Sequence, residues 1–305
     1  MSKLLVIVLV FLASFSRDAL AGRSHVVLIS TFKCDGKCMY SYGGDADIFQ
    51  GYHTLRNHGV DAKDIIVMTP DEVANSPLNP WPGKIYNNER KEVDLRAGVP
   101  IDYTGEDVTR ENILAVLQGQ ADNVQGGSGR VLKSTSDDNL LVYIASHGDY
   151  DSLTMPDYFR ITSNDLKNVI KNMHAKKLYK QAIFYVISCF SGSLFPHLNP
   201  KYRVLAVTGT NSTQGGNALP GVYVPEAVGF HKNISFHTEL GAAWLHNLEH
   251  TEDLSTETVG EQIEDLSKSH FITTAVKTFG DDRIRKEPVS AFMGSKVYKT
   301  KSPIT

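Results

Sequence analysis

The chain has no block of basic residues. Its 31 Lys and Arg are interspersed with 34 Asp and Glu, for a formal net charge of −3 over 305 residues, so a nucleic-acid partner has no electrostatic footprint here. Neither the Walker A pattern nor the dinucleotide fingerprint occurs, and the glycine-rich turns therefore do not mark a phosphate cradle. There is no internal repeat, no low-complexity tract and no composition shift that would divide the chain into two domains. Apart from one run near the start, no apolar stretch is long enough to span a bilayer. Cysteine is scarce, with three in the chain. An odd count in a secreted protein raises the prospect of a free reactive thiol. Cys34 and Cys38 are close enough to pair across Asp35-Gly36-Lys37, which would leave Cys189 alone; so small a ring is easily strained, and two unpaired thiols are the alternative.

What is present suits a soluble globular body: 41% hydrophobic and 21% charged residues. Lys3 precedes the apolar run 4–12, and small and polar residues then lead to Ala19-Leu20-Ala21. That order is a secretory signal peptide over 1–21, with cleavage after Ala21 and no membrane span in the mature chain. The sequons at Asn211 and Asn233 fit the same route as glycosylation acceptors. One domain is expected over 22–290, followed by a tail over 291–305.

Short β-branched runs at 26–30, 65–68, 140–145, 182–187 and 204–207 read as buried strands. Between and after them, helices are expected at 45–58, at 109–117 under a Thr109 cap, at 163–174 under a Ser163 cap, and around 237–250 and 256–269. The proline-rich stretch 70–108 should be extended loop. Strands alternating with helices predict an α/β fold with a mainly parallel sheet covered on both faces.

Two of these strands end in polar, glycine-containing turns: Ser146-His147-Gly148-Asp149 and Ser188-Cys189-Phe190-Ser191-Gly192-Ser193. Ligands of open parallel sheets bind outside the carboxyl ends of the strands, so an imidazole and a thiol are delivered to the same edge. A thiol becomes a strong nucleophile only as thiolate, which a nearby histidine supplies. Backbone amides of the turns can hold the oxyanion of an acyl-transfer intermediate.

Both motifs resemble the histidine and cysteine motifs of the legumains, the asparaginyl endopeptidases. So do the longer stretches NPWPGKI at 79–85, GVPIDYTGEDVT at 98–109 and GSGRVLKS at 127–134. The similarity runs from about residue 25 to about residue 280. It implies a caspase-like three-layer α/β/α sandwich, a His147–Cys189 dyad, an oxyanion hole of the Gly148 and Cys189 amides, and a cysteine endopeptidase acting on peptides or proteins in a lysosome, a vacuole or outside the cell, open to protein inhibitors. It implies transpeptidation too, when an amine displaces the acyl group.

The departures fall around the specificity pocket. Ser41 stands where the family has a supporting asparagine. Gly43 and Gly44 replace an arginine and a histidine, Ile187 an acidic residue, and Ser146 an aspartate. An asparagine side chain needs both a donor and an acceptor, so cleavage after asparagine is expected to be poor; Asp45 would offer an acidic wall instead. No counterpart of the family's C-terminal helical pro-domain is seen before Thr305, so either the protein is not autoinhibited in that way or another partner restrains it. The altered pocket also fits a secreted pseudopeptidase that binds peptides, which the retained dyad opposes. A glycosylphosphatidylinositol transamidase-like subunit shares the dyad but usually has a C-terminal anchor.

A further pattern, His246-Asn247-Leu248-Glu249-His250, matches the inverted zinc-peptidase motif, with Glu257, Glu261 or Glu264 as a third ligand. Short patterns arise readily in a chain with eleven histidines. The reading adopted is a solvated helix face with Trp244 and Leu248 turned inward, and neither a metal nor an organic cofactor is expected.

Overall fold

The computed structural model describes residues 22–33, 42–227 and 232–298. The leader, Cys34 and Cys38 with their pairing, and Ser41 lie outside the described residues. In chain order the main elements are β1 (Ser24–Ser30), α1 (Tyr42–Asn57), β2 (Ile65–Met68), α2 (Arg110–Leu117) and β3 (Asn139–Ala145). A small meander follows, β4 (Gly148–Asp149), β5 (Ser152–Thr154) and β6 (Arg160–Thr162), then α3 (Ser163–Ala175), β7 (Gln181–Ile187) and β8 (Val204–Thr208). A two-residue ribbon, β9 (Val222–Tyr223) with β10 (Asn233–Ile234), leads to α4 (Glu239–His250), α5 (Val259–Lys268) and β11 (Lys277–Gly280).

The central sheet has six strands in the order β11-β8-β7-β3-β1-β2. All neighbours are parallel except the edge strand β11, which runs antiparallel to β8. Strands alternate their side chains between two faces, and both faces are apolar. Leu28, Tyr143, Tyr185 and Val207 point to one, packed against Ile48, Trp244 and Ile263 of α1, α4 and α5. Val27, Val142, Phe184 and Ala206 point to the other, against Val116 of α2 and Val169 of α3. The fold is a three-layer α/β/α sandwich around a mainly parallel sheet.

Several expectations are corrected. The cap of α3 is Thr162, one residue earlier than Ser163: its hydroxyl accepts from the Asp165 amide at 3.2 Å while the Asp165 carboxylate accepts from the Thr162 amide at 2.9 Å. The stretch 70–108 holds two short helical turns, Glu72–Asn75 and Gly105–Asp107, and folds over α1 in a third apolar cluster with Trp81, Ile85 and Phe236. The tail expected from 291 starts later, because Phe292 and Met293 are wholly buried. Trp244 and Leu248 are buried as read from the helix pattern. Glu249 accepts from Gln50 Nε2 at 2.7 Å and Thr54 Oγ1 at 3.0 Å, which ties α4 to α1.

The reciprocal Thr162–Asp165 bonds make a capping box, whose loss costs about 0.5–2 kcal/mol. Urea unfolding should show that loss for Thr162→Ala and a much smaller one for Ser163→Ala. Equal effects would contradict the cap.

Candidate active site

β3 and β7 are neighbours, with Ala145 opposite Ile187. The next residues of both strands leave the sheet side by side, and the Ser146 amide donates to the Ile187 carbonyl at 3.0 Å. His147 and Cys189 thus emerge at one edge and line one cavity of about 130 Å³. A larger cavity of about 600 Å³ opens beside Arg23, Asp61, Asp64 and Asp137 but brings no thiol; chemistry, not size, picks out the smaller one.

The turn after Cys189 is held from several sides. Phe190 adopts a left-handed backbone (φ 56°), and its amide donates to the Gln214 carbonyl at 2.8 Å. Thr210 Oγ1 donates to the Ser188 carbonyl at 3.1 Å and accepts from the Ser191 amide at 2.9 Å. The Gly216 amide donates to Cys189 Sγ at 3.2 Å. Gly148 must be glycine, since a Cβ there would lie 2.6 Å from the Cys189 carbonyl oxygen. The Cys189 amide itself has no acceptor among the described residues. On the imidazole side, the Phe32 ring stands edge-on to His147 at 4.7 Å between centroids.

Gly43, Gly44 and Ile187 line the cavity with His147 and Cys189, as do Ser146 and Ser188. Asn217, Ala218 and Thr238 close it, so among the described lining residues only His147 and Cys189 can ionise. Beneath it lies a buried carboxylate. Asp47 accepts from Thr238 Oγ1 at 2.6 Å and Tyr143 Oη at 3.1 Å, and is paired with His237 Nδ1 at 2.8 Å. Burial raises the Asp47 carboxyl, and the His237 bond opposes that rise.

Asp45 is not a wall of the cavity. Its side chain points the other way, into the space between β1 and β2, where Oδ1 accepts from Ser30 Oγ at 2.6 Å and Thr69 Oγ1 at 2.9 Å. Its Oδ2 is buried with no partner among the described residues. Of the residues that sequence reasoning passed over, Gly216 had a faint signal in its Gly-Gly pair; Phe32, Asp47 and Thr238 had none, because each acts through a tertiary neighbour. Asn233 is exposed, whereas Asn211 is half-buried and accepts from the Thr213 amide at 2.8 Å.

The peptidase C13 family model matches residues 34–295, and this chain belongs to that family. Legumain of Mus musculus is 36% identical over 267 residues, 87% of this chain and 59% of that protein. The vacuolar-processing enzyme beta-isozyme of Arabidopsis thaliana is 34% identical over 264 residues, 83% of this chain and 53% of that protein. The chain thus spans less than two thirds of the length of these relatives. Caspase-1 from Spodoptera frugiperda superposes with a TM-score of 0.47 at 11% identity, over 93% of this chain and 92% of that one, a likeness that assigns nothing further.

Burial pushes the Asp45 carboxyl up to about 7. The folded chain then keeps a proton that the unfolded chain loses near pH 4, so this group makes stability fall as pH rises from about 4 through 7, by on the order of 4 kcal/mol. Urea unfolding across that range should show the decline, with a flatter profile for Asp45→Asn. Identical slopes would contradict the buried, protonated carboxyl.

Proposed function

We propose that this chain is a cysteine peptidase that cleaves peptide bonds through an acyl-enzyme on Cys189, with His147 as its acid–base partner. The observation that carries the reading is the Cys189 thiol at 3.2 Å from the Gly216 amide, in a cavity that His147 also lines. Membership of the peptidase C13 family supports the same reaction.

His147 takes the thiol proton, and the thiolate sulfur attacks the scissile carbonyl carbon. The carbonyl π electrons move to oxygen, where the amides of Cys189 and Gly148 donate to the developing charge. Collapse breaks the C–N bond, and the departing amine takes its proton from the His147 imidazolium. Water, deprotonated by His147, then cleaves the thioester and restores the thiol; an amine in place of water gives transpeptidation. Ser41, at the position of the family's supporting asparagine, is assigned a supporting role in catalysis. The residue before the cut occupies the cavity, and asparagine is a poor occupant because Gly43, Gly44 and Ile187 bring it no charge and no hydrogen bond. The leader-like start and the sequons support passage through the secretory pathway to a lysosome, a vacuole or the cell exterior.

Cys189→Ala should abolish peptide hydrolysis while the unfolding transition stays unchanged, and the iodoacetamide label that stops hydrolysis in the wild-type chain should sit on Cys189. His147→Ala should lower kcat/KM at least about 10²-fold. Labelling that survives in Cys189→Ala while hydrolysis persists would overturn the assignment.

A further inference from the structure

We infer that the cavity beside Cys189 is a subsite for a small aliphatic side chain, and that Phe32 is the residue that sets its size. This rests on the acyl-enzyme reading above and names the substrate class that reading leaves open.

The steric part of the case comes from the two glycines. A Cβ on Gly44 would lie 2.0 and 2.2 Å from two atoms of the Phe32 ring, and a Cβ on Gly43 would lie 2.6 Å from the His237 carbonyl carbon. Real Cβ atoms do not approach neighbours so closely. The Phe32 ring therefore occupies the space into which a side chain at 44 would project. It is held there, 7% exposed, between the exit of β1 and the edge-on His147 ring. Ile187, also 7% exposed, supplies a second apolar wall. What remains is about 130 Å³, close to the roughly 150 Å³ apolar cavity that admits one benzene. An alanine, valine or leucine side chain fits such a space; an indole does not.

The chemical part comes from where the lining polar groups already point. The Thr238 hydroxyl donates to Asp47 and accepts from the Gly241 amide at 3.0 Å. The Ser188 hydroxyl donates to the Cys189 carbonyl at 3.1 Å. Ser146 Oγ accepts from Thr31 Oγ1 at 2.7 Å and donates to the His147 carbonyl at 2.6 Å. Asn217 Nδ2 donates to Thr273 Oγ1 at 3.0 Å. A carboxamide or charged group entering the cavity would lose its water where the Ser146, Ser188 and Thr238 hydroxyl protons are already committed and only the exposed Asn217 amide is left to meet it, a shortfall that costs roughly tenfold in rate. A methyl or isopropyl group loses nothing of the kind. Phe32 is thus a specificity-determining residue, and its neighbour His147 is untouched by that role.

The test compares kcat/KM on peptides identical except for alanine, valine, leucine, phenylalanine, asparagine or lysine before the cut, for the wild-type chain, Phe32→Ala and Phe32→Leu. Peptide aldehydes carrying the same residues are run in parallel as inhibitors. Alanine, valine or leucine should exceed asparagine and lysine by at least about tenfold. Phe32→Ala should raise the phenylalanine-to-alanine ratio about tenfold or more, and Phe32→Leu should shift it the same way by less, which keeps the test decisive if the alanine variant does not fold. Asparagine or lysine as the preferred residue overturns the inference and leaves the acyl-enzyme reading standing. So does a uniform loss across all peptides in both variants, which would make Phe32 only a prop for His147. If no peptide is cleaved and no aldehyde binds, both readings fall together.

Discussion

The parallel pairing of β3 with β7 runs in unbroken register from Asn139 opposite Gln181 to Ala145 opposite Ile187. Every feature of the site is measured from its upper end. A slip of one residue would turn the apolar set of either strand to the wrong face of the sheet, and would separate the turns that hold His147 and Cys189. The register is fixed by burial on both faces, since Leu141, Tyr143, Ile183 and Tyr185 face one core cluster and Val142, Ile144, Phe184 and Val186 the other. Site geometry and fold stability therefore depend on the same residues.

Around that fixed pair, close backbone approach does most of the shaping. A Cβ at Gly148 would collide with the Cys189 carbonyl oxygen at 2.6 Å, and one at Gly216 would crowd the Ser188–Cys189 backbone at 3.1–3.2 Å. The Gly216 amide reaches the sulfur, and the Cys189 amide has no acceptor among the described residues. Buried carboxylates sit just outside this ring of backbone. Asp47 fastens Thr238 to the cavity wall, and Asp45 fastens the ends of β1 and β2 through Ser30 and Thr69. Neither of them lines the cavity, whose described lining holds no acidic residue.

The strands and the layered α/β plan were legible in the sequence because they depend on short-range signals: β-branched runs, a polar turn after β3 and after β7, and the N-cap threonine at 109. What was not legible depends on distant partners. β11 is half-exposed and patterned too weakly to mark a strand. Phe32 is a lone aromatic in the polar exit from β1, Ser30-Thr31-Phe32-Lys33, and nothing local says that its ring fills the space beside Gly44. Asp45 follows two glycines of the cavity in sequence, but the helical turn carries its carboxylate to the opposite side of α1, toward β1 and β2. Adjacency in sequence along a helix means divergence in space.

The most direct test of the central claim is to find the covalent intermediate. An excess of peptide ester with leucine before the labile bond, quenched in acid within the first turnover and digested for mass spectrometry, should give a thioester adduct on the tryptic peptide that contains Cys189. The adduct should be absent in Cys189→Ala and should accumulate when water attack is slowed. Hydrolysis that proceeds at full rate with no adduct on Cys189, or with the adduct on another residue, would contradict the account.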